Sequence, residues 1–138
     1  MGLGKTLQSI CLMVYDNEQQ RKIHEENRDE PVLPHLVICP STLVAHWYFE
    51  IEKFTSALKP LMYHGPPADR RNLQRTYTAH DVIIVSYDVV RNDLDFFSKI
   101  HFSYCILDEG HIIKNVKAKV RIPSGAFCLG CLHCALCG

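Results

Sequence analysis

The sequence has no long apolar run. Its longest purely aliphatic stretch is Val82 to Val85, against the roughly 18 residues that a membrane-spanning helix needs, so no membrane partner is expected. It has no excess of either charge: Lys+Arg 15 balance Asp+Glu 15, for a formal net charge of +0. That removes bulk charge as a pointer to nucleic acid and leaves room for a local basic site. No basic segment followed by an apolar core and a cleavage site opens the chain, so no secretory leader is expected and a reducing compartment is the default. No internal repeat is present. What is there suits one globular domain: 138 residues, 47% hydrophobic and 22% charged, a length that buries roughly two thirds of the unfolded surface.

Polar–apolar alternation is also missing from the strand-like segments. Leu36 to Cys39, Val82 to Val85 and Tyr104 to Leu107 are short continuous apolar runs, and Leu61 to Tyr63 is a weaker one. Strands that are apolar at every position are buried on both faces, which predicts an α/β fold: a parallel sheet flanked by helices. Three runs release polar groups at their carboxyl ends, namely Ser41 and Thr42, Ser86 to Asp88, and Asp108 to His111. Ligands of open α/β sheets bind at that edge. Helices are expected over 4–15, with Leu7, Ile10, Cys11 and Val14 on one face, and after Pro40. There Ser41 or Thr42 would cap, and Leu43, Trp47, Ile51 and Phe54 would share a side. Asp69 to Thr78 suits a polar helix. The charged stretch Asp16 to Glu30 reads as a helix end followed by a surface loop.

Met1-Gly2-Leu3-Gly4-Lys5-Thr6 leads directly into the first helix. Gly-Lys-Thr is the final part of the phosphate-binding loop G-x-x-x-x-G-K-[ST]. Glycines let backbone N–H groups turn toward phosphate oxygens, and a helix N-terminus adds its positive end. Gly2, Leu3, Gly4, Lys5 and Thr6 are therefore the candidate ATP-binding residues. Lys5 would reach the β- and γ-phosphates and Thr6 would supply a hydroxyl to Mg²⁺. The same segment fits the N-acylation pattern M-G-x-x-x-[ST], which nothing else in the sequence supports. Asp108-Glu109 ends the last apolar run. Two carboxylates at a strand end serve phosphoryl transfer, with Asp108 on the metal and Glu109 on the attacking water. His111 is placed to relay between the nucleotide and its surroundings.

On these motifs the chain resembles the first half of the motor of Swi/Snf-type DNA translocases, members of the second helicase superfamily. MGLGKTLQ resembles their motif I, Leu36 to Phe54 (LVICPSTLVAHWYFEIEKF) motif Ia and its helix, and Ile106 to Asn115 (ILDEGHIIKN) motif II. Tyr63-His64-Gly65 and VIIVSY resemble the blocks between. Within the family, SYDVVRNDLDFF and YCILDEGHIIKN are most similar to the branch associated with TATA-binding protein. The resemblance implies a RecA-like lobe using ATP and Mg²⁺ on double-stranded DNA in the nucleus. It also implies a parent activity that removes TATA-binding protein from DNA and so regulates transcription. It implies DNA contacts at Pro40, Ser41, Thr42, Ser86 and Tyr87, to which the basic run beginning at Lys114 adds a further candidate. Trp47, sharing a face with Leu43 and Ile51, is expected in the core.

The resemblance covers residues 1–119, a partial ATP-binding lobe that is expected to be incomplete at both ends. Within these 138 residues neither a motif III nor a second lobe with arginine fingers follows, and such an arginine is worth ~10³–10⁵ in rate. Hydrolysis by this chain alone is therefore not expected. Residues 120–138 form an unmatched, Cys-rich tail expected to be unstructured. Cys128, Cys131, Cys134 and Cys137 follow C-x₂-C-x₂-C-x₂-C, whereas zinc sites pair two C-x₂-C knuckles across a longer spacer and iron–sulfur runs end C-x₃-C-P. Two other readings stay open: a non-catalytic fragment or gene-model remnant, and a small metal-binding module built on these cysteines.

Overall fold

The computed structural model describes residues 2–108 and 127–129, with side chains described for 6–108. Helix α1 spans Gly2–Glu26, strand β1 His35–Cys39, helix α2 Val44–Phe54, strand β2 Pro60–Met62 and helix α3 Pro67–Thr76. Strand β3 spans Val82–Ser86, helices α4 and α5 Tyr87–Asn92 and Leu94–Ser98, strand β4 Cys105–Asp108 and strand β5 Phe127–Leu129. The strands form one sheet in the order β2-β3-β1-β4-β5, and every pairing is parallel. This is the α/β parallel sheet flanked by helices that the apolar runs imply.

Alternate residues of each strand face opposite layers, and both layers are dry. Val37, Cys39, Val82, Ile84 and Ile106 pack with Ile10 and Met13 of α1 and with Val44, Trp47 and Ile51 of α2. Leu36, Ile38, Ile83, Val85, Cys105 and Leu107 pack with Val89, Val90 and Phe97 of α4 and α5. Each large side chain so buried contributes roughly 1.5–3 kcal/mol.

Helix α1 departs from expectation. It runs from Gly2 to Glu26 instead of stopping near residue 15. The polar segment contains strong helix formers, and it is anchored from outside. Gln20 Nε2 donates to the Leu33 carbonyl at 3.2 Å, its Oε1 accepts from the Leu33 N–H at 2.6 Å, and Ser103 Oγ donates to Asp16 Oδ2 at 2.5 Å. The buried stripe differs too: Thr6, Ser9, Ile10, Met13 and Asn17 face inward, while Leu7 and Cys11 are exposed.

Helix α2 buries Val44, Trp47 and Ile51, and leaves Phe54 exposed. Neither Ser41 nor Thr42 caps it. Ser41–Leu43 is a separate 3₁₀ turn, and Leu43 holds the cap position without a side-chain bond. Capping occurs instead at Ser86, whose Oγ accepts from the Val89 N–H at 3.3 Å and starts α4. Of the tail expected to be unstructured, Phe127–Leu129 pairs with β4 as β5; the rest of that tail, with its cysteine pattern, lies outside the described residues.

Candidate functional site

The parallel register carries the ends of three strands to one edge. Cys39 pairs with Ser86, and Ile38 pairs with Leu107, so Asp108 comes level with Cys39 one residue further on. The chain leaves β1 there through Pro40 into the turn at Ser41 and Thr42, both exposed. Helix α1 begins at Gly2, so the glycine-containing motif forms its first turn and not a preceding loop. First-turn N–H groups have no partner within the helix. Thr6 is buried at 7% exposure.

Asp108 is held from two directions. Its Oδ2 accepts from Trp47 Nε1 at 3.0 Å, and its backbone carbonyl accepts from the Tyr87 hydroxyl. Its Oδ1 makes no hydrogen bond among the described residues. A partly exposed carboxylate with one oxygen anchored and one available is chemistry that fits a hard divalent cation such as Mg²⁺. The negative charge of Asp108 is felt nearby: burial, and then that charge, push the Cys39 thiol up to about 12. Cys105 is pushed equally high by burial alone. These two cysteines behave as small core hydrophobes.

Ser86 and Tyr87 reach the same edge but turn inward, at 2% and 5% exposure. The Ser86 hydroxyl caps α4 and the Tyr87 hydroxyl holds Asp108. The two hydroxyls expected at a nucleic-acid strand are thus engaged within the protein, at a strand-to-helix turn that uses its own polar groups. Pro40, Ser41 and Thr42 remain at the surface. The side chain of Lys5, together with Glu109, His111 and Lys114, lies outside the described residues. Trp47 occupies the core as expected, at 1% exposure, but its bond to Asp108 was not foreseen. The available signal was general: a buried indole N–H usually finds an acceptor.

The opposite edge, at the strands' amino ends, has a cleft of about 390 Å³ bordered by Arg21, His24, Lys59, His80 and Asp81. Several of its polar groups are bonded to one another or to α1. Asp81 accepts from the Lys59 N–H at 2.8 Å and from Asn17 Nδ2 at 3.5 Å, and pairs with Arg21 at 3.4 Å. Among the described residues, no group of three or more His, Cys, Asp or Glu is arranged around an ion, and no helix is long and apolar enough to cross a membrane.

The family model described as "SNF2-related domain" matches residues 1–123. The chain belongs to the SNF2-related family. Its relatives include the human TATA-binding protein-associated factor 172, 52% identical over 124 residues, and TATA-binding protein-associated factor BTAF1 of Arabidopsis thaliana, 49% identical over 122. The factor MOT1 of Saccharomyces cerevisiae is 43% identical over 122 residues. Each match takes in 87% of this chain; it spans 7% of the human protein and 6% of each of the other two. Among solved structures, the Sulfolobus solfataricus SWI2/SNF2 ATPase core in complex with dsDNA superposes with a TM-score of 0.62 at 31% identity. That match covers 87% of this chain and 22% of the archaeal one. The fold is thus the RecA-like fold of an SNF2-family ATPase domain, related to TATA-binding-protein-associated factors, and the family uses a nucleotide.

Proposed function

We propose that this chain is the ATP-binding lobe of a DNA-dependent ATPase that remodels protein–DNA complexes in the nucleus. Its target, by kinship with the TATA-binding-protein-associated factors, is TATA-binding protein on promoter DNA, and its role is transcription regulation. The observation that carries the reading is the meeting of Asp108, Ser41 and Thr42 at one sheet edge in a chain whose first helix opens with Gly-Leu-Gly-Lys-Thr. Residues 1–119 carry the motifs of the lobe, and Phe127–Leu129 adds strand β5 to the same sheet.

Gly2, Leu3 and Gly4 offer backbone N–H groups to the phosphates, and Lys5 offers its ammonium. Thr6 and Asp108 hold the cation. Bound Mg²⁺ supplies neutralisation of the charge that develops on the transferred phosphoryl group. Glu109 orients the attacking water, and His111 links the nucleotide to the DNA side. Pro40, Ser41, Thr42 and Lys114 contact one strand through phosphate oxygens, which positions a duplex without reading its sequence. Ser86 and Tyr87 support that surface from beneath, Tyr87 through Asp108 and Ser86 through the α4 cap.

Binding and turnover separate in this stretch of sequence, because it contains neither a motif III nor a second lobe. Titration of a fluorescent ATP analogue should saturate on the chain and lose at least about tenfold in affinity with Lys5→Ala, a loss typical of removing one charge-assisted contact. Equal affinity of the two would falsify the assignment. DNA-stimulated phosphate release from the 138 residues alone should stay at background.

A further inference from the structure

We infer that Trp47 is a positioning residue for the cation site: its indole N–H engages Asp108 Oδ2 and leaves Oδ1 as the oxygen that would hold the cation. The inference rests on the nucleotide-binding reading above and goes beyond it, because it assigns a role to a side chain on a different element, 61 residues away in sequence. Trp47 is 1% exposed, and its Nε1–H donates to Asp108 Oδ2 at 3.0 Å. Ile10, Met13, Val44 and Ile51 belong to the same packed layer, so the donor is rigidly supported. The same aspartate receives the Tyr87 hydroxyl on its carbonyl, so backbone and carboxylate are each oriented by a buried aromatic donor.

The two donors have a common origin. Trp47 is the fourth residue of α2, which follows the Ser41–Leu43 turn, and Tyr87 opens α4 directly after the Ser86 cap. The two segments that leave the sheet edge, one into each helical layer, therefore both send a donor back to Asp108. Outer-shell donors of this type set ligand orientation, and their loss typically weakens metal binding 10–100-fold.

The test compares affinity for a fluorescent ATP analogue with Mg²⁺ and with EDTA, in the 138-residue chain and two variants. One is Trp47→Phe. The other replaces Trp47 with benzothienylalanine, which keeps the ring shape and lacks the N–H. Both variants should lose about tenfold of the Mg²⁺-dependent gain in affinity while their affinity in EDTA stays at the wild-type value. If the gain survives in the benzothienylalanine protein, the indole bond is merely structural and the inference is overturned. If Trp47→Phe fails to show the far-ultraviolet dichroism of the parent, the isosteric variant alone decides. If the unaltered chain binds no nucleotide in either condition, the functional reading fails and takes this one with it, an outcome distinct from a gain that survives substitution.

Discussion

At the amino edge of the sheet, Asp81 accepts from Lys59 N–H and Asn17 and pairs with Arg21, while Asp16 accepts from Gln20 at 2.7 Å and from Ser103 at 2.5 Å. At the carboxyl edge, Ser41 and Thr42 are exposed and their hydroxyls make no hydrogen bond among the described residues; Asp108 uses one carboxylate oxygen and leaves the other. Both edges collect polar side chains at the ends of buried strands. At the amino edge these bonds tie α1 and the β2–β3 connection to the sheet. The carboxyl edge engages the Ser86 and Tyr87 hydroxyls internally and leaves Asp108 Oδ1 and the Ser41 and Thr42 hydroxyls without a bond among the described residues.

This contrast predicts that substitutions at the two edges separate stability from binding. The largest stability effect is expected for Asp81→Ala, which strands the nearly buried Asn17 amide and should lower unfolding free energy by about 1–3 kcal/mol in urea titration. Nucleotide affinity measured under folding conditions should not change. An Asp81→Ala chain that melts like the parent would break the comparison.

A smaller effect belongs to His35, fully buried at the start of β1 with its Nε2 3.6 Å from Asp16 Oδ2 and its ring stacked on Tyr104. Burial pulls its pKa below 6.5, and the charges of Asp16 and Asp81 and a backbone contact at Met13 offset this only in part. The neutral ring is favoured in the fold and the unfolded chain binds the extra proton, so stability rises with pH in this window. The contribution is complete above pH 6.5 and is lost as pH falls from 6.5 through the lower folded value. Thermal melts of the parent should fall over that interval, and His35→Phe should flatten the fall. An unchanged pH profile in His35→Phe would remove His35 as the cause.

Next comes Ser86→Ala, which deletes the α4 cap and should cost about 1 kcal/mol in the same unfolding titration. The smallest stability change is expected for the double substitution Ser41→Ala, Thr42→Ala, within about 0.5 kcal/mol, because neither hydroxyl caps α2. A cost as large as that of Ser86→Ala would show that those hydroxyls are structural after all, and would sharpen the boundary between the two edges.

Legibility followed the range of the forces involved. Strands β1, β3 and β4 stood out because burial on both faces demands apolar residues at every position, as in Val82-Ile83-Ile84-Val85. The edge of the candidate site was readable because a parallel sheet gathers the carboxyl ends of its strands, and Asp108 follows such a run. The extent of α1 was not readable. Residues 16–26 look like a solvated loop by charge, and the Leu33, Asp81 and Ser103 contacts that hold them are supplied by segments far along the chain. Capping by Ser86 instead of Ser41 or Thr42 depended on backbone geometry that the three residues' similar chemistry does not distinguish.

The order of residues determined by itself the sheet class, the Gly-Leu-Gly-Lys-Thr motif at the front, the aspartate at the end of β4 and the family, since each is a local pattern of side-chain chemistry. Only tertiary structure decided which polar groups are consumed and which stay available. Register sets Asp108 level with Cys39 and Ser86, and packing of α2 brings the Trp47 indole to its carboxylate. A hydrogen bond across 61 residues leaves no periodic trace in the sequence, because its geometry exists only once the sheet has assembled.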